Sequence, residues 1–342
     1  MTLLTVTVPA TGLLPLGRAR LAHAAWRRAR DLGGRFVLIV DDTIVNKPGA
    51  PPDDLAWLGL DWDSLERRSD NTARHAAAAA RLEQATRLYP CFENADELRA
   101  KADRQRRRGQ LVRYDRAMLK LTADQRAAAE AGGKRPHWRF QLSNIVVTWR
   151  DDRLGRTEFA LPSLSDPVLR APDGTIDPAL AGVADDLALG VTHRVSGEEH
   201  IATTAVHLDL MDALGGDPTA LHLAHLPVLS EATGRRLQGQ TLRSLRQDGI
   251  VPAALRAWFD ALQQPGAGRI EIEDLLAHNR AALATLHSPM PPRCCHLRPT
   301  RRSGSACVGK STSSPRPGRC CRASASGRRW GRCWLAVAYR EC

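Results

Sequence analysis

The chain has 342 residues, with 49 Lys and Arg against 37 Asp and Glu, a formal charge of +12. That length admits one large domain with an insertion, or two to three domains each with its own core. The charge is local: residues 290 to 342 hold 12 basic side chains and one acid, Glu341, leaving 37 basic and 36 acidic side chains in residues 1 to 289. Net charge therefore gives no reason to read the folded part as a nucleic-acid binder. Seven of the eight cysteines lie from Cys294 onward and only Cys91 precedes them, so the body has no disulfide framework and suits a reducing compartment. The N-terminus has no basic start before an apolar run, and no stretch approaches 18 uninterrupted apolar residues. The expectation is a soluble cytoplasmic protein, neither exported nor membrane-bound.

Leu3 to Val8 alternates as a strand does, Gly12 and Gly17 punctuate, and Arg18 to Leu32 is an Ala/Arg/Leu-rich helix stopped by Gly33 and Gly34. Arg35 to Val40, RFVLIV, is a nearly continuous apolar strand, and strand, helix and buried strand make a βαβ unit with a parallel sheet. Asn71 to Leu88 reads as a second, alanine-rich helix. From about Cys91 to Asp177, charged helices at Asp96 to Arg108 and Ala123 to Ala131 give way to the strand-like HWRFQL and NIVVTW, an α+β insertion. Sheet character returns with LGVTHRV and SGEEH, followed by a helix from Thr203 to Leu214. From Leu242 onward only helices are expected, LRSLRQDG, PAALRAWFDALQQ and IEDLLAHNRAALATL.

Residues 288 to 342 break this pattern. They are rich in Arg, Cys, Ser, Pro and Gly with almost no aliphatic periodicity, too little apolar surface to offset the entropy of ordering. Such a composition is what displaced GC-rich codons give, and a shifted reading frame is one origin for it. Four of its seven cysteines fall as adjacent pairs, Cys294/Cys295 and Cys320/Cys321, and none has the C-x-x-C spacing of a zinc site. A basic nucleic-acid arm is the functional rival to plain disorder.

Seven segments, in order, resemble glutamyl-tRNA synthetase of the bacterial type, a class I aminoacyl-tRNA synthetase. They are TGLLPLGRAR, DLAWLGLDWD, LYPCFENADELRAKADRQRRRGQLVRYDRAMLKLT, KRPHWRF, SLSDPVLRAPDGT, VADDLALGVTHRVSGEEH and TLRSLRQDGIVPAAL, spanning about residues 5 to 265. The resemblance implies an α/β fold: a Rossmann-type catalytic domain in two halves, residues 1–90 and 181–240. Between them lies an acceptor-arm-binding α+β insertion, 91–180, and after them a helical stem-contact region, 241–287. The family's anticodon-binding helices have no counterpart, and the 288–342 tail stands in their place.

The activity implied is ATP-dependent activation of glutamate, followed by transfer to the 3′ end of tRNA. ATP and Mg²⁺ are the cofactors, glutamate and the tRNA acceptor arm the partners, and the chain is expected to act as a monomer without a membrane. Such catalysis rests on positioning and on groups facing charge that grows on the phosphates. The family's His-Val-Gly loop is here Pro15-Leu16-Gly17. Thr11, Gly12, Gly17 and Arg20 are implied in ATP binding, with Gly17 among the catalytic positions, and Pro15 offers no donor. The Leu-Ser-Lys-Arg loop falls on Thr233, Gly234, Arg235 and Arg236, so Arg235 and Arg236 are implied as catalytic and ATP-binding cations. A shift onto Leu237 to Gln240 would leave no charge.

Arginines that bind the substrate carboxylates in the family align with Thr5 and Ser196, a tyrosine near Pro178 and an asparagine near Thr203. Asp41, Asp42, Ser196, Glu198 and His200 form the implied substrate-binding set, and Asp185, Asp186 and Gly197 also stand at matching places. Each residue has a plainer reading. Gly12 and Gly17 could be turn glycines, Arg235 and Arg236 a solvated loop pair, and Asp41 and Asp42 helix N-caps. Glu198 and His200 could be structural at a strand end, the run Arg104 to Gly109 a solvated helix face, and Trp57, Trp62 and Trp138 core anchors. His193, His207, His222 and His225 read as surface or satisfied core histidines, with no metal site among them. Two other functions stay open. One is a non-aminoacylating paralogue that binds tRNA or nucleotide; the other is a truncated synthetase that glutamylates a modified tRNA base, for which the cysteines of a zinc knob around Cys91 are missing.

Overall fold

The computed structural model describes residues 1–43, 50–228, 240–263 and 272–287. β1 (Leu3–Pro9) leads through a glycine turn to α1 (Leu16–Asp31) and β2 (Arg35–Asp41). β1 and β2 pair in parallel from Leu3↔Arg35 to Pro9↔Asp41, as a β-branched strand and a continuously apolar one joined by a helix demand. α1 ends at Gly33, whose φ of +59° suits a residue without Cβ. At Gly34 a Cβ would lie 2.7 Å from Thr2, so the turn into β2 needs glycine for its close approach to the chain's first residues.

α2 (Pro51–Leu58), β3 (Ser64–Arg67), α3 (Thr72–Gln84) and β4 (Leu88–Cys91) follow. Next come α4 (Ala95–Arg107), α5 (Ala123–Ala131), β5 (His137–Phe140), β6 (Val146–Asp151), β7 (Gly155–Ala160) and β8 (Val168–Arg170). The chain continues through α6 (Pro178–Leu189), β9 (His193–Gly197), α7 (Ile201–Ala213) and β10 (His222–Leu226). It closes on α8 (Leu242–Gln247), α9 (Pro252–Ala261) and α10 (Ile272–His287). The expectation of helices alone after Leu242 agrees with these three.

Among the described residues, the main sheet has seven strands in the order β3-β2-β1-β9-β10-β6-β7. All neighbours are parallel except the last pair, β6 and β7. Strand order reverses at β1, with β2 on one side and β9 on the other, so a crevice opens at the carboxyl ends of β1 and β9. β4, β5 and β8 make a separate antiparallel sheet.

The structure differs from sequence expectation in three places. The helix expected to reach Leu88 stops at Gln84; Thr86 takes a φ of +56° and Leu88 opens β4, because pairing of Leu88–Cys91 with β5 overrides local helix propensity. NIVVTW, read as part of the insertion, forms β6 on the main sheet against β10, with β7 as its hairpin partner. LGVTHRV is helical through Leu189, turns at Gly190 with a φ of +70°, and becomes a strand only at His193.

One apolar cluster joins α1, β2 and α2 to α8 and α9 around Leu14, Leu55, Trp258 and Phe259, with Trp57 and Trp62 partly buried against it. A second joins β4, β5, α6 and α7 around Phe140, Leu142 and Leu180, with Trp138 at its margin. His225 is fully buried, its Nδ1 2.6 Å from Asp151 Oδ2 and its Nε2 2.9 Å from Thr204 Oγ1, a satisfied core histidine. His193 stacks on His222 at 4.5 Å between ring centroids.

His23, on the buried face of α1, packs between Trp26 and Phe259. Burial lowers its pKa to about 4, against the pull of Asp260. A histidine held neutral in the fold supplies stability that is complete above its unfolded pKa and is lost as pH falls from about 6.5 toward 4. His23→Leu should therefore flatten the acid limb of the stability curve over that window, by up to roughly 3 kcal/mol at its foot. Urea unfolding at pH 7 and pH 4.5 measures the difference.

Candidate functional site

Three parallel strand ends meet at one edge: β2 delivers Asp41 and Asp42, β1 the glycine turn, and β9 Ser196, Gly197 and Glu198. In the turn after β1, Thr11 is half-buried and Gly12 has a φ of +109°, a left-handed backbone that glycine tolerates. α1 starts at Leu16 behind Pro15, which gives no side-chain cap, and no acid occupies its first turn. Leu16 N is taken by Gln240 O, so the N–H groups of Gly17 and Arg18 and the positive end of the dipole are left to an external anion. Nothing lies within 4 Å of where a Gly17 Cβ would stand, so that side of the helix start is open.

The cradle is held by chain from far along the sequence. Pro15 and Thr241 form an isolated antiparallel bridge, in which Leu16 N donates to Gln240 O at 3.0 Å and Leu242 N donates to Leu14 O at 3.1 Å. The missing N–H of Pro15 costs nothing there, because both bonds belong to its neighbours. Arg20, one turn into α1, donates through Nη1 to Pro227 O at 2.7 Å and through Nη2 to Leu262 O at 3.4 Å. Burial lowers this guanidinium to about 10, Arg153 adds to that, and Glu198 and Glu199 oppose it. Arg20 is 3% exposed and its Nη groups bond backbone carbonyls, so where sequence implied an ATP ligand the fold has a tie from α1 to the end of β10 and to α9. Arg235 and Arg236 lie outside the described residues, as does the 288–342 tail; Pro227 and Gln240 flank the stretch carrying the two arginines, and both are hydrogen-bonded to α1.

The aspartates at the end of β2 are engaged. Asp41 accepts from Arg68 Nη1 at 2.5 Å and from Thr43 Oγ1 at 2.6 Å. Asp42 accepts from Ser69 N at 2.9 Å and Ser69 Oγ at 2.7 Å. Partial burial pushes the Asp42 pKa up, and the Ser69 bonds and Arg67 more than reverse it, leaving the carboxyl below its usual range. Neither residue caps α2, whose N-cap is Ala50; both fasten β2 to the turn after β3. Ser196 is half-buried on β9, while Glu198 and His200 sit in the 3-10 turn behind it, His200 exposed and 3.9 Å from Glu199.

Sequence reasoning placed Asp185 and Asp186 at matching positions but missed the charge network they form on α6. Asp185 is buried, 2.8 Å from His75 Nε2, 3.0 Å from Arg74 Nη1 and 3.8 Å from Arg68 Nε. Asp186, beside it, pairs with Arg194 of β9. The one signal in the sequence was alternation on β9, which puts Arg194 on the same face as Ser196.

A doubly wound, mostly parallel sheet with a glycine cradle and a helix start lacking a side-chain cap at its switch point is a Rossmann-type nucleotide-binding arrangement. The family description for the catalytic domain of class I tRNA synthetases (E and Q) matches residues 8–261, and the chain belongs to that family. It is 42% identical over 321 residues to a glutamate–tRNA ligase 2 of Gluconobacter oxydans, covering 84% of this chain and 72% of that protein. With a glutamate–tRNA ligase 2 of Acidiphilium cryptum it shares 47% over 263 residues, 74% of this chain and 59% of that one. The chain thus spans 59 to 72% of the length of these relatives. Among solved structures, glutamate–tRNA ligases of Elizabethkingia meningosepticum, in complex with its amino acid, and Elizabethkingia anophelis superpose with TM-scores of 0.71 and 0.72 at 19% and 20% identity. Each alignment covers 83% of this chain and 70% of the other. Among the described residues no helix is long and apolar enough to cross a membrane.

Arg20→Met should destabilise the fold by roughly 1–3 kcal/mol, since a part-buried carbonyl and a buried one lose their charged donor, and should weaken nucleotide binding. Denaturant unfolding and titration with a fluorescent ATP analogue measure the two effects separately. Unchanged stability would contradict the tie.

Proposed function

We propose that this chain carries out ATP-dependent activation of glutamate and its transfer to the 3′ end of tRNA, at a rate reduced by losses in its own motifs. The observation that carries the reading is the Pro15–Thr241 bridge: it joins the cradle after β1 to the chain just beyond Arg235 and Arg236, the two places where a class I site draws its phosphate-facing groups. Gly12 and Gly17 would let ATP approach the backbone, the α1 start would face its phosphates, and Arg235 and Arg236 would supply positive charge. The glutamate carboxylate would attack the α-phosphate and pyrophosphate would leave. Mg²⁺ would arrive with the phosphates and offset their charge, because among the described residues no three metal-ligating side chains converge into a protein cage.

Ser196, Glu198 and His200 would border the amino acid, with Asp41 and Asp42 shaping the β2 side. The tRNA acceptor arm would lie on the insertion, where Arg104, Arg106, Arg107 and Arg108 at the end of α4 are exposed. The chain would act as a cytoplasmic monomer. Loss of a single donor such as the one absent at Pro15 lowers rate on the order of a hundredfold. Thr5 and Ser196, uncharged where the family has arginines, would weaken the grip on a dianion. Those same substitutions favour the second reading, a paralogue that binds nucleotide or tRNA without activating an amino acid.

Exchange of labelled pyrophosphate into ATP, with and without tRNA, tests this. Slow glutamate-dependent exchange is expected, with Pro15→His raising it about tenfold or more toward the donor's full contribution. ATP binding without exchange for any amino acid would leave the paralogue reading in its place.

A further inference from the structure

The face of the sheet that carries Ser196 also carries one guanidinium that is neither buried nor turned onto carbonyls. Leu4 of β1 pairs with His193 of β9 in parallel register, so Thr5 and Arg194 are cross-strand neighbours, and Ser196 shares their face two residues on. Thr5 Oγ1 donates to Asp186 Oδ1 at 3.3 Å, which identifies this face as the one toward α6. Arg194 Nη1 donates to Asp186 Oδ2, and His207 Nε2 of α7 lies 3.3 Å from the same oxygen.

Asp186 is buried, and burial favours its neutral form. Arg194 and His207 outweigh burial and hold the carboxyl below its usual range, so it is ionised at neutral pH. Burial foremost, then Arg194, lowers the His207 pKa, which leaves the imidazole neutral and Arg194 as the charged partner. The Arg194 side chain is 37% exposed. A guanidinium has five donors in a planar fork, and Asp186 meets it at Nη1.

Of the other arginines near this edge, Arg67 is 56% exposed but lies at the end of β3 facing Asp42 at 3.7 Å, and Arg18 is turned onto Thr7 O. Arg68 is 6% exposed between Asp41 and Asp185, Arg74 bonds Asp185, and Arg20 bonds carbonyls.

We propose that Arg194, fixed by Asp186, binds a carboxylate of the amino-acid substrate and is the residue that sets specificity for an acidic amino acid. The inference rests on the functional reading above for the identity of the substrate. Asp186 removes rotamer freedom from the long side chain before a ligand arrives, so less is lost on binding. It also neutralises part of the charge, so discrimination between glutamate and glutamine should be modest, on the order of tenfold.

Calorimetric titration of the full chain with glutamate and with glutamine, alongside pyrophosphate-exchange kinetics, tests the inference. Arg194→Met should raise the glutamate Kd and KM at least tenfold, leave the glutamine Kd and the ATP KM within about twofold, and abolish the preference between the two amino acids. Arg194→Lys, which keeps the charge, should restore part of that preference and reports on the site if the Met variant fails to fold. Equal weakening of glutamate, glutamine and ATP, or an unchanged glutamate Kd, would overturn it. Glutamate binding without exchange in the unaltered chain would overturn the enzymatic reading alone, whereas no glutamate binding at all would overturn the assignment of Arg194.

Discussion

The bridge between Pro15 and Thr241 is the constraint on which the site depends. A glycine turn and an uncapped helix start are common at sheet edges, and alone they make an anion site of low specificity. Here the turn is clamped on its far side by Gln240 and Leu242, and the helix it opens is tied by Arg20 to the end of β10 and to α9. The helical region after residue 241 therefore helps to hold this edge in place. Its apolar residues Leu242, Leu245, Trp258 and Phe259 share one core with Leu14, Leu16 and Ala19, so the clamp is backed by packing as well as by two backbone hydrogen bonds.

Charge at this edge is arranged in pairs, with Asp185 and Asp186 buried and Arg74 and Arg194 partly exposed. Asp41 with Arg68, Asp185 with Arg74 and His75, and Asp186 with Arg194 each join two or more elements. Removing one partner of such a pair strands the other charge and costs far more than the pair contributes. The pairs also set what the edge can bind, for a guanidinium already facing a carboxylate attracts a substrate anion less strongly than a bare one. Thr5 and Ser196 add no charge to this face, and Arg194, with its side chain 37% exposed, is paired with Asp186.

The first βαβ unit was legible because its signals are local: alternation in Leu3–Val8, glycines at both turns and an unbroken apolar run in β2. α6 was not. Its sequence PALAGVADDLAL is apolar almost throughout and hides the helical period, although Asp177 as N-cap before Pro178 is a start signal that could have exposed it. α2 begins on Pro51 and Pro52 in the same way. β6 was recognised as strand but could not be assigned to a sheet, since its partner β10 lies about 70 residues on, and its hairpin partner β7 was not recognised. In the site, Gly12 and Gly17 follow β1, Ser196 sits at the end of β9 and Glu198 follows it, so all four came to one edge. The part played by Arg20 was out of reach, its carbonyl partners being 207 and 242 residues away. Asp41 and Asp42 stood at the correct strand end, while their partners Arg68 and Ser69 belong to a turn that local pattern does not single out.

The central claim is that a nucleotide docks on the cradle after β1 while residues 240–242 brace it. Hydrogen–deuterium exchange read by mass spectrometry, on the full chain with and without a non-hydrolysable ATP analogue and Mg²⁺, addresses that claim most directly. The account predicts added protection in peptides covering residues 10–20 and 240–246, with peptides from α5 unchanged. Protection confined to other segments, or none at saturating nucleotide, would contradict it.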